Sequence, residues 1–293
     1  MPVIDLHSHS QCSDGSLSPA DLVALAVRAG VKALALTDHD SVDGIREAQI
    51  AAEGTGLTLI AGVELSAIWG VHNIHVVGLQ VDIQNPTLKV GLAQQAGARA
   101  ERGRQMGAKL EALGLKGAYE GALALASSPD GLSRTHMAQW LFDAGHVSTI
   151  QQAFDKYLGP RKPAAVPMPW ASLADVVAWI KAAGGVAVVA HPGRYDMSRT
   201  KMRQLLADFK ALGGDGMEVA TATEKPDMVA YLGRLSQQLE LLASQGSDYH
   251  GKPAPWIALG RFPTLPAGCV PIWTAWGWPA MNTESVFDVE LSA

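Results

Sequence analysis

Short apolar runs and amphipathic helical stretches alternate through the first part of this chain: "VIDLH", "SPADLVALAVRAG", "VKALALTDHD", "VDGIREAQIAAEGTG", then "LTLIAGVELSA". A strand that feeds a helix and returns to a neighbouring strand packs as a βα unit, so this rhythm predicts an α/β fold with a parallel sheet. The chain has 293 residues, and barrels of α/β type reach that size as one unit. The first helix carries its own punctuation. Ser18 is placed to cap it, Pro19 fits the first helical position, and Gly30 marks the stop.

From about Asn85 the rhythm breaks. Residues 86–158 read as helices only, in "LAQQAGARAERGRQMGAKLEALG", "THMAQWLFDAG" and "TIQQAFDKYLG". The βα pattern resumes at "SLADVVAWIKAAGG", "VAVVAHPGR", "GDGMEVAT" and "LLASQGSDYHG". The expected organisation is a catalytic barrel built from residues 1–85 and 159–293, with residues 86–158 inserted as a helical subdomain. The last stretch, rich in Pro, Gly and Trp, reads as irregular structure that closes the fold.

Composition narrows the function classes. The chain is 48% hydrophobic and 17% charged, with 30 Gly and 16 Pro, which suits a globular enzyme with a sizeable core and many tight connections. Its formal net charge of -5 argues against an extended nucleic-acid surface, which needs clustered Lys and Arg, while leaving room for a small anion in a local pocket. No basic n-region precedes the first strand, and no apolar run approaches the ~18 residues of a membrane span. A cytoplasmic protein without a membrane partner is expected. With Cys12 and Cys269 alone, neither a disulfide framework nor a thiolate zinc site is signalled.

The stretch "VIDLHSHSQCSDGSLSP" places two histidines one residue apart, followed by a turn. Strand alternation puts Asp5, His7 and His9 on one face. The other chemistry-bearing residues repeat the pattern: His39, Glu64, His75, His191, and Asp248 with His250, all at or near the ends of predicted strands. In α/β barrels that end is where active sites are built. With His7, His9 and Asp14 they point at one pocket, and so many joint placements favour a metal cluster over unrelated core histidines. Nitrogen and carboxylate donors without thiolate suit manganese, zinc or iron. Nine donors exceed one tetrahedral ion and suit two or three divalent ions, with Glu64 and Asp248 as the bridging candidates. Asp5 either orients His7 or His9 or serves the strand start. His72 and His146 read as structural.

The segments "DLHSHSQCSDG", "LTDHDSVDG", "GVELS", "HVVGL", "AHPGR" and "SDYHG", in this order, resemble the polymerase and histidinol phosphatase (PHP) family, which is related to the amidohydrolases. The resemblance implies a distorted (β/α)7 barrel whose polynuclear metal centre hydrolyses phosphoesters. Carried over position by position, the ligands fall on His7, His9, Asp14, His39, Glu64, His75, His191, Asp248 and His250. None is substituted, which argues for an active enzyme. The insertion and "LSRTHMAQWL", "YLGPRKPAAVP" and "AHPGRY" look like the bacterial TrpH-like branch. That branch includes a phosphatase of 3',5'-bisphosphate nucleotides and a 5'-to-3' exoribonuclease acting on short RNA.

The reaction expected is removal of the 3'-phosphate from a pAp-like nucleotide to leave the 5'-monophosphate. Its nucleophile is a metal-activated hydroxide held by Glu64, Asp248 and His191. The sequence carries no G-x-S-x-G elbow and no phosphate-cradling P-loop. Arg134, His136, Lys162 and Arg194 are the candidates to hold phosphate, Arg being apt through its bidentate fork. A solvated helix face is the competing reading for all four, less so for Arg194, three residues from His191. Two further classes stay open: an amidohydrolase cleaving a C–N bond, and a metal-binding module of the kind attached to polymerases. The Arg and Lys residues near the predicted pocket favour phosphate over a neutral amide.

Overall fold

The computed structural model describes residues 3–126, 132–167, 169–252 and 254–278. They fall into two compact units, Met1–Gly91 with Ala171–Ala293, and Leu92–Trp170. The first unit contains strands β1 (Val3–Asp5), β2 (Val31–Leu36), β3 (Thr58–Trp69), β4 (His72–Leu79), β5 (Ala171–Ser172), β6 (Val186–Val189), β7 (Gly216–Thr221) and β8 (Leu242–Gly246). Its helices are α1 (Pro19–Arg28), α2 (Ile45–Ala52), the start of α3 (Pro86–Ala112), then α7 (Leu173–Ala182), α8 (Arg199–Ala211) and α9 (Pro226–Leu239).

The strands follow the order β1-β2-β3-β4-β6-β7-β8, with β5 paired to β3 off this path. Backbone bonds just past β1 close the ring. Leu6 N donates to Gln245 O at 3.1 Å, Asp248 N to His7 O at 2.8 Å and His9 N to Tyr249 O at 2.9 Å. The chain thus forms the expected distorted barrel of seven strands, with one departure from simple βα repetition. β4 runs antiparallel to both β3 and β6, because only the short turn after Trp69 joins it to β3 and no crossover helix intervenes.

Strand alternation sorts side chains to the two sides of the barrel wall. Ala33 and Ala35 of β2 join Ile4, Leu6, Ile60, Val77, Leu79, Val188 and Ala190 in one core cluster, which Ile272 and Trp273 complete. Leu34 and Leu36 join Leu22, Val23 and Ala26 of α1 and Ile45 and Ala48 of α2 in the other. The late irregular stretch docks through a parallel bridge between Ala243 and Pro271. Helix α1 begins as its sequence dictates: the Ser18 hydroxyl accepts from Asp21 N at 3.1 Å, Pro19 leads the helix, and Gly30 follows its end.

The second unit holds the remainder of α3 with α4 (Ala118–Leu123), α5 (Arg134–Asp143) and α6 (Ile150–Ala153), which passes into a π-helical turn over Phe154–Leu158. It has its own core, including Met106, Leu110, Leu115, Met137, Leu141, Leu158 and Val166. Among the described residues no helix is long and apolar enough to cross a membrane.

Candidate metal centre

The chain gathers its histidines and acids at one end of the barrel by prolonging each strand pair. Thr37 N donates to Ser8 O at 2.9 Å, a parallel bridge links His39 to Glu64, and Ala190 N donates to His75 O at 3.0 Å. His7 and His9 follow β1, His39 follows β2, His191 follows β6, and Asp248 and His250 follow β8. Two placements differ from a strand-end reading. Glu64 lies midway along the twelve-residue β3, which continues to Trp69 because β4 pairs with it from Gly62 to Trp69. His75 lies in the first half of β4 and reaches the same end because that strand is reversed.

Glu64 is the hub. Its Oε2 lies 3.2 Å from His7 Nε2, 3.3 Å from His9 Nε2 and 3.1 Å from His39 Nδ1, while its Oε1 lies 3.0 Å from both His75 Nδ1 and His191 Nε2. Asp248 Oδ1 lies 3.4 Å from His7 Nε2 and 3.2 Å from His9 Nε2. Asp14 reaches in from its turn, 3.2 Å from His250 Nε2 and 3.7 Å from both His9 and His39. The donor atoms form three groups, each within 4.8 Å: His7, His9, Glu64 and Asp248; His39, Glu64 and His75; and His9, Asp14, His39 and His250.

The turn that carries Asp14 is tied down by Asp38, whose carboxylate accepts from Ser10 N and Ser10 Oγ, both at 2.7 Å, and from Ser13 Oγ at 2.6 Å. A side chain at Gly15 would collide with the His9 carbonyl, so the "SDG" turn demands glycine there. Asp40 performs a similar service for β3, accepting from Ser66 N at 2.8 Å and Ser66 Oγ at 2.9 Å. The "TDHD" segment therefore brackets one histidine with two carboxylates that fix neighbouring backbone.

Electrostatically the cluster is a tight mesh of opposite charges. Burial disfavours charge on His9, yet Asp248 and Glu64 outweigh it and carry its pKa up to about 10. At His39 burial dominates and the pKa falls to about 4. Burial opposes ionisation of Glu64 and Asp248 too, but His39, His7 and His75 hold Glu64, and His7 and His9 hold Asp248, below the usual carboxylate range.

The residues fit divalent cations. Buried Glu64 Oε2 sits at ion-pair distance from three imidazoles but has hydrogen-bond geometry with none, and buried His9 Nδ1 also lacks a partner. His7 Nε2 and His9 Nε2 approach to 3.1 Å. Nitrogen and carboxylate donors crowded this closely about shared points, with one buried oxygen left without a hydrogen bond, are what a cation needs. Asp248 and His191 also hold uncommon backbone angles, with φ of 54° and 28°, a cost of roughly 1–3 kcal/mol each that clusters at functional sites.

Other candidates from the sequence take different places. The hydrogen bonds of Asp5 go to backbone, not to an imidazole ring. Its carboxylate accepts from Ser247 N and Gly260 N, both at 2.8 Å, and from His7 N at 3.5 Å, so it serves backbone. The carboxylate outside the predicted ligand set that meets a histidine ring is Glu218, 2.7 Å from His7 Nδ1; its signal in the sequence is the lone acid inside "GMEVAT". Arg194, in a short 3-10 turn after His191, donates to Asp248 Oδ2 and, at 3.0 Å, to Thr223 Oγ1. Tyr195 beside it accepts from His75 N at 2.8 Å.

The remaining phosphate candidates belong to the second unit. Arg134 and Lys162 are exposed. His136 takes part in a capping box at the start of α5: its Nδ1 accepts from Ser133 N at 3.2 Å. His146 packs on Trp140 with ring centroids 5.3 Å apart, and in the first unit His72 packs on Trp69 at 5.8 Å.

Comparison with known proteins places this arrangement. A family model described as the PHP domain matches residues 5–162. A 3',5'-nucleoside bisphosphate phosphatase of Chromobacterium violaceum is 45% identical over 273 residues, 93% of this chain and 96% of that protein. The 5'-3' exoribonuclease Rnm of Escherichia coli is 42% identical, the match covering 96% of each. A solved amidohydrolase of Chromobacterium violaceum with sulfate bound superposes with a TM-score of 0.82 at 43% identity, covering 95% of this chain and 98% of that one. A protein of Bifidobacterium adolescentis described as a metal-dependent phosphoesterase superposes with a TM-score of 0.73 at 31% identity, covering 88% and 91%. On motif order, barrel closure and these likenesses together, the chain belongs to the PHP domain family.

Proposed function

We propose that this protein is a metal-dependent phosphoric ester hydrolase that removes the 3'-phosphate from 3',5'-bisphosphate nucleotides. The observation that carries this is the convergence of nine histidine and carboxylate side chains, Glu64 at their hub, at the end of a barrel. His7, His9, Glu64 and Asp248 would hold one divalent ion, His39, Glu64 and His75 a second, and His9, Asp14, His39 and His250 a third, with His191 added through its approach to Glu64 Oε1. Manganese is the ion we assign, with zinc and iron as alternatives. When bound, such ions polarise phosphoryl oxygens and acidify water. The chain's own groups do the rest. Glu64, Asp248 and His191 surround the attacking water, and Arg194 steadies Asp248 from its other oxygen. Water adds to phosphorus as the bond to the 3'-oxygen breaks, and that oxygen leaves with a proton.

Residues 86–158 are assigned the choice of substrate, with the barrel supplying the chemistry. Arg134, His136, Lys162 and Arg194 are the residues we assign to phosphate recognition. A second reading, 5'-to-3' cleavage of short RNA, is favoured by the relatives named as exoribonucleases. It uses the same hydrolytic groups on a longer substrate. Both readings place the protein in the cytoplasm with its nucleotides.

The test is turnover with added manganese on bisphosphate nucleotides, nucleoside 3'-monophosphates, short RNAs and amides. The bisphosphate should lead. A charge-assisted contact contributes roughly 1.5–3 kcal/mol, so Arg134→Ala and Lys162→Ala should each lower kcat/KM on the bisphosphate about ten- to a hundredfold. Neither should change much on the 3'-monophosphate. Equal losses on both substrates would remove these residues from recognition, and a leading short RNA would move the assignment to the exoribonuclease.

A further inference from the structure

Glu218 stands on β7 among buried apolar neighbours, Met217, Val219 and Ala220, and is itself 1% exposed. A carboxylate in such a strand is costly to bury unless both oxygens are engaged, and both are. Oε1 lies 2.7 Å from His7 Nδ1, and Oε2 accepts from the backbone N–H of His191 at 2.6 Å. In the ring β7 lies beside β6, which His191 follows, and is separated from β1, which His7 follows, only by β8. One side chain therefore links two ligand-bearing strand ends on opposite sides of its own strand.

We infer that Glu218 is a positioning residue for the metal centre, fixing which nitrogen His7 turns to the metals and holding the backbone turn from which His191 projects. The inference rests on the metal-centre reading above. Glu218 Oε1 faces the His7 Nδ1 at hydrogen-bond distance, which directs the proton of a singly protonated ring to Nδ1 and leaves Nε2 to face Glu64 and Asp248. At His191 the backbone holds φ 28° and ψ 55°, a conformation rare for a residue with a side chain. The bond from Oε2 fixes this turn, and the ring Nε2 then sits 3.0 Å from Glu64 Oε1. The fit is close on the other side of His7 as well: a Cβ at Gly246 would stand 2.5 Å from the His7 Cβ.

Glu218→Gln tests this with little change in volume. A carboxamide has one acceptor and one donor where the carboxylate has two acceptors. If its NH2 faces His7, Nδ1 must accept and the proton moves to Nε2. If its NH2 faces His191, two donors oppose each other. Zinc serves as the probe because it is diamagnetic. Zinc titration followed by elemental analysis should show one class of site weakened about ten- to a hundredfold in Glu218→Gln, with the circular dichroism spectrum unchanged. Long-range 1H–15N spectra of the zinc-loaded wild type should show His7, identified by its loss in His7→Gln, protonated at Nδ1 and metallated at Nε2. The reverse pattern at His7 overturns the inference without recourse to the Glu218 variant. Unaltered zinc binding in Glu218→Gln also overturns it and leaves the metal centre intact, whereas a wild type that binds no zinc removes both.

Discussion

At the scale of single residues, Glu64 divides its two oxygens between two sets of imidazoles, and that division lets one side chain serve more than one cation. Asp14 sits at the other extreme, on a turn with a side chain 55% exposed. Partial desolvation by the neighbouring rings opposes its ionisation, yet those histidines hold its pKa down, the His250 hydrogen bond being the largest of their effects. Because the turn is fastened by Asp38 rather than by Asp14, Asp14→Ala should leave the barrel folded. It should lower bound manganese by up to one ion per chain, measured by elemental analysis beside a circular dichroism spectrum. A variant with full metal and full turnover would take Asp14 off the ligand set. This site was largely legible in the sequence because ligand chemistry is carried by residue type and strand ends are marked by apolar runs. The exceptions are instructive. Asp5 shares a face with His7 by alternation, yet Ser247 and Gly260 claim its oxygens. Glu218 is 211 residues from His7, and no local pattern pairs them.

At the scale of elements, the first helix begins where its sequence says, and four more begin on the same device. Ser18, Ser133, Thr149, Ser172 and Ser198 all cap helix starts through their hydroxyls. Ser133 works in a pair with His136, so part of His136 is structural whatever it holds. Removing an N-cap hydroxyl costs roughly 0.5–2 kcal/mol. Ser133→Ala should therefore lower the stability of the helical unit by about that amount in urea denaturation. No change would mean that α5 is held by packing of Met137 and Leu141 alone. Strand direction was not legible in the same way. Alternation in "HNIHVVGL" reads identically in either direction, so the reversal of β4 follows from pairing with β3 and β6.

At the scale of the whole molecule, each unit has a core of its own, and the candidate metal donors lie in one of them. A ligand that binds only the native state stabilises by RT ln(1 + [L]/Kd), about 2.7 kcal/mol at a hundredfold excess over Kd. Manganese should raise the melting temperature by several degrees and chelation should reverse it. In hydrogen exchange the added protection should fall on β1, β3, β6 and β8. Protection confined to residues 92–170 instead, or a melting temperature unmoved by manganese, would contradict a metal centre in the barrel.

The sequence by itself determined the fold class, the cap of the first helix and which nine side chains are candidates to gather at one end of the barrel, because apolar period, capping chemistry and ligand type are all properties of nearby residues. Tertiary structure alone decided the direction of β4 and the fastening of the first loop to Asp38. It also decided the diversion of Asp5 to Ser247 and Gly260 and the choice of Glu218 as the partner of His7. Each of these depends on which distant strands become neighbours. The β4 direction is settled by its pairing with β3 and β6, the Asp38 contact by the pairing of β1 with β2, and the Asp5 and Glu218 contacts by closing the ring between β8 and β1.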